Sequence, residues 1–228
     1  MRFLNRLHWI GILVAIIAVS GCNMIPSSPG SATPAPNTLN YDAPVSLVVK
    51  LNSTMPGTPI KYVGKSATGS AQVLISNQLA PKQVGDTLDW QGVPVPNVNV
   101  KLNTRVASFD DQSITLVGTA RVDIADVSIK PSGTPPTNAM MEFNAPVTYS
   151  ISKNEFIPGS NIAYGGSTSD GAKFLGVDGY AYRKTLDSLQ YTGRLNSKVS
   201  LKLDLRIISF SDSGVVLGGT ANIKIDAP

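Results

Sequence analysis

The sequence is poor in the residues that build most catalytic and metal sites. It has one cysteine, Cys22, and one histidine, His8, among 228 residues. A lone cysteine has no disulfide partner within the chain. Because both groups stand near the N-terminus, the body of the chain lacks the side chains for Ser-His-Asp or Cys-His catalysis and for zinc sites of imidazole and thiolate. We therefore predict a protein that is not an enzyme and holds no metal.

Strong charge of one sign is also missing. The 19 Lys and Arg side chains nearly balance 15 Asp and Glu side chains, and the net charge is +4. Removing residues 1–21 takes away Arg2 and Arg6 and leaves 17 basic against 15 acidic residues. Nucleic-acid binding requires a concentrated basic face. Because no basic cluster stands out along the chain, we predict that nucleic acid is not a partner.

The chain also lacks an apolar run that would cross a bilayer as a helix. The run over residues 10–19 has about ten residues, whereas a spanning helix needs about 20. It follows a basic start with Arg2 and Arg6 and precedes small residues. A basic start, a short apolar core and small residues at its end make a secretory signal. We therefore predict that residues 1–21 are a signal peptide.

The residues that close this signal are Val19-Ser-Gly-Cys22. A branched residue, two small residues and then cysteine resemble the lipobox of bacterial lipoprotein precursors. In that family the cysteine sulfur receives a diacylglycerol, the signal is cut just before the cysteine, and the new amino terminus usually gains a fatty acid such as palmitate. The resemblance implies lipidation at Cys22, a covalent lipid as the only cofactor and the bilayer as a partner. It covers residues 1–22 and gives no family for the folded body.

Residues 22–41 comprise the lipidated cysteine and a tether rich in Pro and Ser. This composition cannot bury enough apolar surface to fold, so we predict a disordered segment. Fully extended at roughly 3.1 Å per residue, the tether reaches about 60 Å. The resemblance implies an extracytoplasmic, lipid-anchored protein. In lipoproteins of diderm bacteria, Asp after the lipidated cysteine favours the inner membrane, so Asn23 favours the outer membrane. In a bacterium with one membrane, we expect its outer face.

The body consists of two copies of one unit, residues 43–126 and 145–226, offset by about 101 residues. Segments 98–124 and 199–225 align without a gap and share 12 of 27 residues. Two long copies are typical of a tandem domain pair, since a solenoid needs at least three short repeats. We therefore predict a first repeat over 42–128, a Pro-rich linker over 129–142 and a second repeat over 143–228.

Each repeat predicts β-structure. In the second repeat, Val199, Leu201 and Leu203 alternate with Ser200 and Lys202. Successive side chains of a strand point to opposite faces, so this pattern buries one face and exposes the other to solvent. No segment shows a sustained helical period. With six to eight short strands each, the repeats are predicted to be two tandem immunoglobulin/fibronectin-III-like β-sandwich domains in an all-β fold.

Aromatic side chains are the candidate binding groups, because their faces offer large contact area to sugars or protein side chains. Core packing is the alternative for each ring, and we favour it for Trp90 and Tyr191, which occupy equivalent strands. The candidates for binding an envelope protein or a glycan are Tyr62, Tyr164, Phe174, Tyr180 and Tyr182.

Carboxylates recur at equivalent positions in the two repeats. Asp86 corresponds to Asp187, and Asp111 corresponds to Asp212. The second pair is predicted at hairpin tips, where Asp side chains accept hydrogen bonds from nearby backbone amides. We favour this structural role over calcium binding, which requires several oxygen ligands around one ion.

Three functions fit these observations. The preferred one is a non-enzymatic envelope lipoprotein whose paired β-sandwiches bind a protein or glycan, mediate adhesion or act as a spacer. The second is a carrier or chaperone for an apolar ligand, which requires a cavity between the sheets. The third is a glycan-active enzyme, which requires two carboxylates about 5 to 9.5 Å apart across a cleft.

Overall fold

A computed structural model describes residues 37–132 and 139–228. These residues form antiparallel β-sheets without helix, which confirms the predicted all-β fold. Nothing in these two ranges makes a helix able to traverse a bilayer. The predicted signal peptide, Cys22 and most of the tether lie outside the described residues, as does the middle of the predicted linker.

Fifteen strands follow one another along the described chain. They are β1 (Leu39–Lys50), β2 (Ile60–Lys65), β3 (Ala71–Ile75), β4 (Gln78–Lys82), β5 (Trp90–Val95), β6 (Val98–Phe109), β7 (Ser113–Ile124), β8 (Lys130–Pro131), β9 (Ala139–Ser152), β10 (Ala163–Thr168), β11 (Gly171–Leu175), β12 (Tyr182–Arg183), β13 (Ser188–Arg194), β14 (Val199–Phe210) and β15 (Gly214–Asp226). The series β1 to β7 and β9 to β15 correspond to the two repeats, and β8 lies between them.

Each repeat contributes one large sheet and one three-stranded sheet. In the first repeat these have the orders β1-β7-β6-β5 and β2-β3-β4. In the second repeat the orders are β8-β13-β14-β15-β9 and β10-β11-β12. β6 pairs with β7 and β14 with β15 as antiparallel hairpins, with Asp111 and Asp212 between the paired strands as predicted. Large and small sheets in each repeat are consistent with a β-sandwich.

The alternating pattern of β14 explains why it forms a strand with one buried face. Leu201, Leu203 and Leu205 are buried, whereas Lys202 and Asp204 between them are exposed. Each fully buried Leu side chain contributes about 1.5–3 kcal/mol relative to an exposed one. Burial of the apolar face therefore fixes the register, since a slip by one residue would expose all of it.

The two repeats pack reciprocally and share one continuous hydrophobic core. A Cβ on Gly57, in the Pro-Gly turn of the first repeat, would lie 2.7 Å from the Met141 sulfur in β9. A Cβ on the equivalent Gly159 would lie 3.3 Å from Leu39 Cδ1 in β1. Each turn therefore lies against the first strand of the other repeat. The division into two separate domains stays a prediction.

Both ends of the predicted linker lie in strands. Lys130 and Pro131 form β8 and pair with Arg194 and Gly193 of β13, and β9 already begins at Ala139. Pro131 fits here because β8 is an edge strand, where a missing N–H does not break the sheet. Proline and glycine content alone gives no signal for this long-range pairing.

Candidate functional site

Two of the predicted binding residues, Tyr62 and Tyr164, lie at equivalent positions in the core. Both side chains are fully buried. The Tyr62 hydroxyl donates to the backbone carbonyl of Asp110, and the Tyr164 hydroxyl donates to that of Ser211 at 2.5 Å. Each bond ties a small sheet to the hairpin tip of the large sheet. Burial raises the pKa of both phenols.

Phe174 is buried as well and packs against Tyr164, with ring centroids 5.7 Å apart. The three rings therefore expose no face that a partner at the surface could contact, which corrects the predicted binding role of Tyr62, Tyr164 and Phe174. The sequence at the start of β2 indicates that Tyr62 is buried. Ile60 and Tyr62 are two residues apart, so they point to the same buried face.

Tyr180 and Tyr182 are the predicted rings that reach the surface. The Tyr180 side chain is 66% exposed, and its ring centroid lies 5.5 Å from that of Tyr182. Arg183 holds the segment in place. Its guanidinium donates to the carbonyl of Tyr182 at 2.8 Å, to that of Tyr180, and at 3.2 Å to that of Ser188. These three hydrogen bonds use much of the set of N–H donors that the Arg183 guanidinium offers.

A cleft of about 480 Å³ opens beside this segment, between β13 and the loop that joins β11 to β12. Its lining is mixed, and it includes polar Asn161, Asp178, Gln190 and Thr192 together with Leu189 and Tyr191. Ligand pockets typically measure about 300–1,000 Å³. The cleft is therefore large enough for a small ligand or a short piece of chain.

Tyr191, one of the residues that line the cleft, has a buried hydroxyl. The side chain is 8% exposed, and its hydroxyl has no hydrogen-bond partner among the described residues. An unpartnered buried hydroxyl costs about 1–3 kcal/mol. Burial also raises the pKa of this phenol.

The Tyr191 ring lies over Gly193, where an added Cβ would collide with the hydroxyl. The equivalent Trp90 lies over Gly92, and a Cβ there would be 2.5 Å from Trp90 Cζ2. An aromatic ring that covers a glycine two residues along compensates for the missing side chain of the strand. Both rings pack against the common core, in agreement with the packing favoured for them above.

The backbone of β13 alternates between two neighbours. Odd-numbered residues face β14, because the carbonyl of the even-numbered Thr192 is bonded from the other side. Even-numbered residues therefore face the opposite edge. There the Thr192 carbonyl accepts the Ser132 amide at 3.1 Å, and the Ser188 carbonyl accepts Arg183 Nε at 3.2 Å. Gln190 lies between them and lines the cleft.

Asp86 and Asp187 occupy equivalent positions in the two repeats, and each accepts a hydrogen bond from a backbone amide within its turn. Asp86 accepts the Gln83 amide at 2.7 Å, and Asp187 accepts the Lys184 amide at the same distance. These bonds assign Asp86 and Asp187 to backbone support at the edge of each large sheet. The described residues contain no group of three or more His, Cys, Asp or Glu side chains placed to hold a metal ion.

At the hairpin tips the two repeats differ. In the first repeat Asp110, rather than the predicted Asp111, accepts the amides of Gln112 and Ser113 at 2.8 and 2.7 Å. These hydrogen bonds lower the pKa of Asp110. In the second repeat the Asp212 carboxylate pairs with Lys153 at 2.8 Å, which lowers its pKa.

Comparison with protein-family models, with curated protein sequences and with solved structures gives no match for this chain. The candidate site therefore rests on the geometry of the cleft.

Proposed function

We propose that the chain is an extracytoplasmic lipoprotein, anchored through fatty acids on Cys22, whose body binds a partner and catalyses no reaction. The observation that carries the binding role is the cleft beside β13, whose lining combines polar side chains with Leu189 and Tyr191. The site has hydrogen-bonding side chains and an apolar wall, the combination that typical ligand sites use for orientation and affinity.

The anchoring role is supported by the lipobox-like sequence that ends at Cys22. Each buried methylene of a fatty acid contributes about 0.8 kcal/mol, and one chain alone binds only reversibly. A diacylglycerol together with an amide-linked acyl group supplies more than one chain on the same cysteine. Such an anchor holds the body at the membrane without a spanning helix. Partners in the cell envelope, a protein segment or a glycan, fit this location.

The anchor is tested by comparing wild type with Cys22→Ala in a bacterial host that processes lipoproteins. Wild type is expected in the membrane fraction, resistant to salt washing and extracted by detergent. Mass spectrometry is expected to show a chain that begins at residue 22 and carries lipid. Cys22→Ala is expected in the aqueous fraction or as the uncut precursor. Ser28→Ala, a small change in the predicted tether, is the matched control and should stay anchored. Lipid-free Cys22 in mature wild type would refute the anchor.

A further inference from the structure

We propose that the outer face of the second repeat's small sheet lies against the bilayer that holds the acyl anchor. The large side chains of this face, which we call the aromatic face, are those of Phe156, Leu175, Tyr180 and Tyr182. The inference rests on the proposed Cys22 anchor and adds a second contact between the chain and the lipid. Strand pairing, a difference between the two repeats and the exit point of the tether carry it.

Strand pairing brings Phe156 and Leu175 together on one side of the sheet. Ala163 pairs with Phe156 in an isolated bridge and with Leu175 in β11. Directly paired residues of antiparallel strands point to the same side, so the three side chains share a face. Phe156 is 63% exposed and Leu175 is 45% exposed, whereas Ala163 between them is buried without belonging to the common core. The face that they share is therefore the outer one.

Tyr180 and Tyr182 extend this face across β12. The Phe174 amide donates to the Ala181 carbonyl at 2.8 Å, which continues the pairing of β11 with β12 and sets Tyr180 opposite Leu175. Tyr182 points to the same side as Tyr180, since the two are separated by one residue of an extended chain, and their rings lie beside each other. The aromatic face thus runs without interruption across all strands of the small sheet.

The equivalent face of the first repeat is more polar. Thr54 and Lys61 form the bridge there that Phe156 and Ala163 form in the second repeat. A hydroxyl and an ammonium therefore replace a phenyl ring and a methyl group at the same place in the fold. Because both repeats build the same kind of core beneath their small sheets, folding alone does not explain an exposed aromatic group on one of them. Exposed apolar groups that lie together mark sites of contact with a protein or a membrane.

The point where the predicted tether joins the body favours the bilayer as the occupant. A Cβ on Gly159 would lie 3.3 Å from Leu39 Cδ1, at the start of the first described strand. Phe156 precedes Gly159 by three residues, which span at most about 11 Å. Only residues 23–38 separate Leu39 from Cys22. The tether that leads to the acyl chains therefore leaves the body next to the aromatic face.

A face that is held close to the lipid needs little affinity of its own. The anchor makes its contact with the bilayer an intramolecular event at high effective concentration. Tyrosine suits this place because its ring is apolar and its hydroxyl stays hydrated, and it is enriched where membranes meet water. Lys173 lies two residues before Leu175 and so on the same face. Among the described residues its ammonium makes no ion pair, so it is free to approach lipid phosphates.

The test places a fluorescent label beside the aromatic face of the full acylated chain. Cys22 is the only cysteine and its sulfur is acylated in the proposed mature protein, so an introduced cysteine is the one free thiol. Asp178→Cys, exposed in the loop between β11 and β12, receives an NBD label. Gln78→Cys, exposed at the start of β4 in the first repeat, is the matched control. Each labelled chain is reconstituted into vesicles of phosphatidylcholine and phosphatidylglycerol, with and without doxyl-labelled phosphatidylcholine as the quencher.

The doxyl lipid is expected to quench the label at residue 178 and to leave the label at residue 78 bright. Adding Phe156→Ser to the chain labelled at residue 178 should abolish the quenching, because it removes the ring nearest the tether. Val48→Ser, a change of a 62% exposed apolar residue outside the aromatic face, should leave the quenching as it is. Circular dichroism confirms the fold of every variant.

Equal quenching at residues 178 and 78, or quenching that Phe156→Ser does not reduce, overturns the inference. Two other occupants of the face would also overturn it. A second copy would make the unquenched label at residue 178 respond to the density of protein in the vesicle, and the chain's own tether would shield the label equally in detergent micelles and in vesicles. In each of these cases the chain still floats with the vesicles, which keeps the anchor. A chain that does not float refutes the Cys22 anchor, and the inference with it.

Discussion

The hydroxyl of Tyr41 in β1 lies beside that of Tyr149 in β9, and neither makes a well-formed hydrogen bond within the described chain. This pair lies where the two repeats meet, and the Tyr41 hydroxyl is 3.1 Å from the position of a Cβ on Gly159. Burial raises the pKa of Tyr41, and it raises the pKa of Tyr149 to about 12. The contact between the repeats therefore favours neutral phenols.

We expect the stability of the fold to decrease above pH 10 because of these phenols. An unfolded tyrosine has a pKa of about 10, so the unfolded chain releases the proton while the folded Tyr149 keeps it up to about pH 12. Within this window each such tyrosine lowers the free energy of unfolding by about 1.4 kcal/mol per pH unit. Urea unfolding between pH 8 and about pH 11.5 should show a shallower decrease in Tyr149→Phe than in wild type. Tyr180→Phe, at an exposed ring, is the control, and parallel curves for wild type and Tyr149→Phe would contradict this expectation.

The two buried tyrosines at the hairpin tips should contribute equally to stability. Tyr164→Phe removes the bond to the Ser211 carbonyl, and Tyr62→Phe removes the bond to the Asp110 carbonyl. Each change is expected to lower the free energy of unfolding by about 0.5–1.5 kcal/mol. Chemical denaturation measures this loss, with Tyr182→Phe as the surface control. Unchanged stability in both buried variants would show that these hydrogen bonds contribute nothing.

The glycines beneath the aromatic rings should resist substitution. Gly193→Ala places a methyl group against the Tyr191 hydroxyl, and overpacking of this kind costs about 1–3 kcal/mol. In a Tyr191→Ala background the same methyl group no longer meets the Tyr191 ring, so most of that cost should disappear. A double-mutant cycle measured by urea unfolding gives the coupling between the two sites. Additive effects would mean that Tyr191 does not lie over Gly193 in solution.

A shared core predicts that a cavity in one repeat weakens the other. Leu203→Ala in the second repeat removes a fully buried side chain and should cost about 2–5 kcal/mol. Trp90, in the first repeat, is the only tryptophan once residues 1–21 are removed, so its fluorescence reports that repeat alone. We expect the Trp90 transition in urea to move to lower concentration together with the circular dichroism. A Trp90 transition that stays in place would establish two independent domains.

The alternation of apolar and polar residues predicted the strands, because strand formation depends on which face of the same segment is buried. The strict alternation over Val199 to Ile207 identifies β14 because burial of one face decides strand register. The same periodicity places Tyr62 and Tyr164 inside, although both rings were candidates for binding a partner. Composition identified a linker, but the pairing of Lys130 with Arg194 depends on residues far away in sequence.

The candidate site was the least predictable part from sequence. Tyr180 and Tyr182 are candidate binding rings in the sequence, and they do lie near the surface. The cleft itself brings together Asn161, Asp178 and Gln190, which are distant in sequence and have no shared motif. The one feature near it in sequence that could have been noticed is Gly193, two residues after Tyr191. A glycine at that spacing indicates that the tyrosine ring lies along the strand. A cleft between sheets depends on how they pack, and a strand pattern does not specify that.

The position of β15 has a consequence for folding during synthesis. This strand lies between β14 and β9, although it follows both in sequence. A nascent chain therefore leaves β9 without its neighbour until residues up to Asp226 have emerged, whereas the equivalent strand of the first repeat is complete at Ile124. The first large sheet can close about 100 residues earlier than the second. We therefore expect the strands of the first large sheet to pair first, while the core that both repeats share closes only when the second half has emerged.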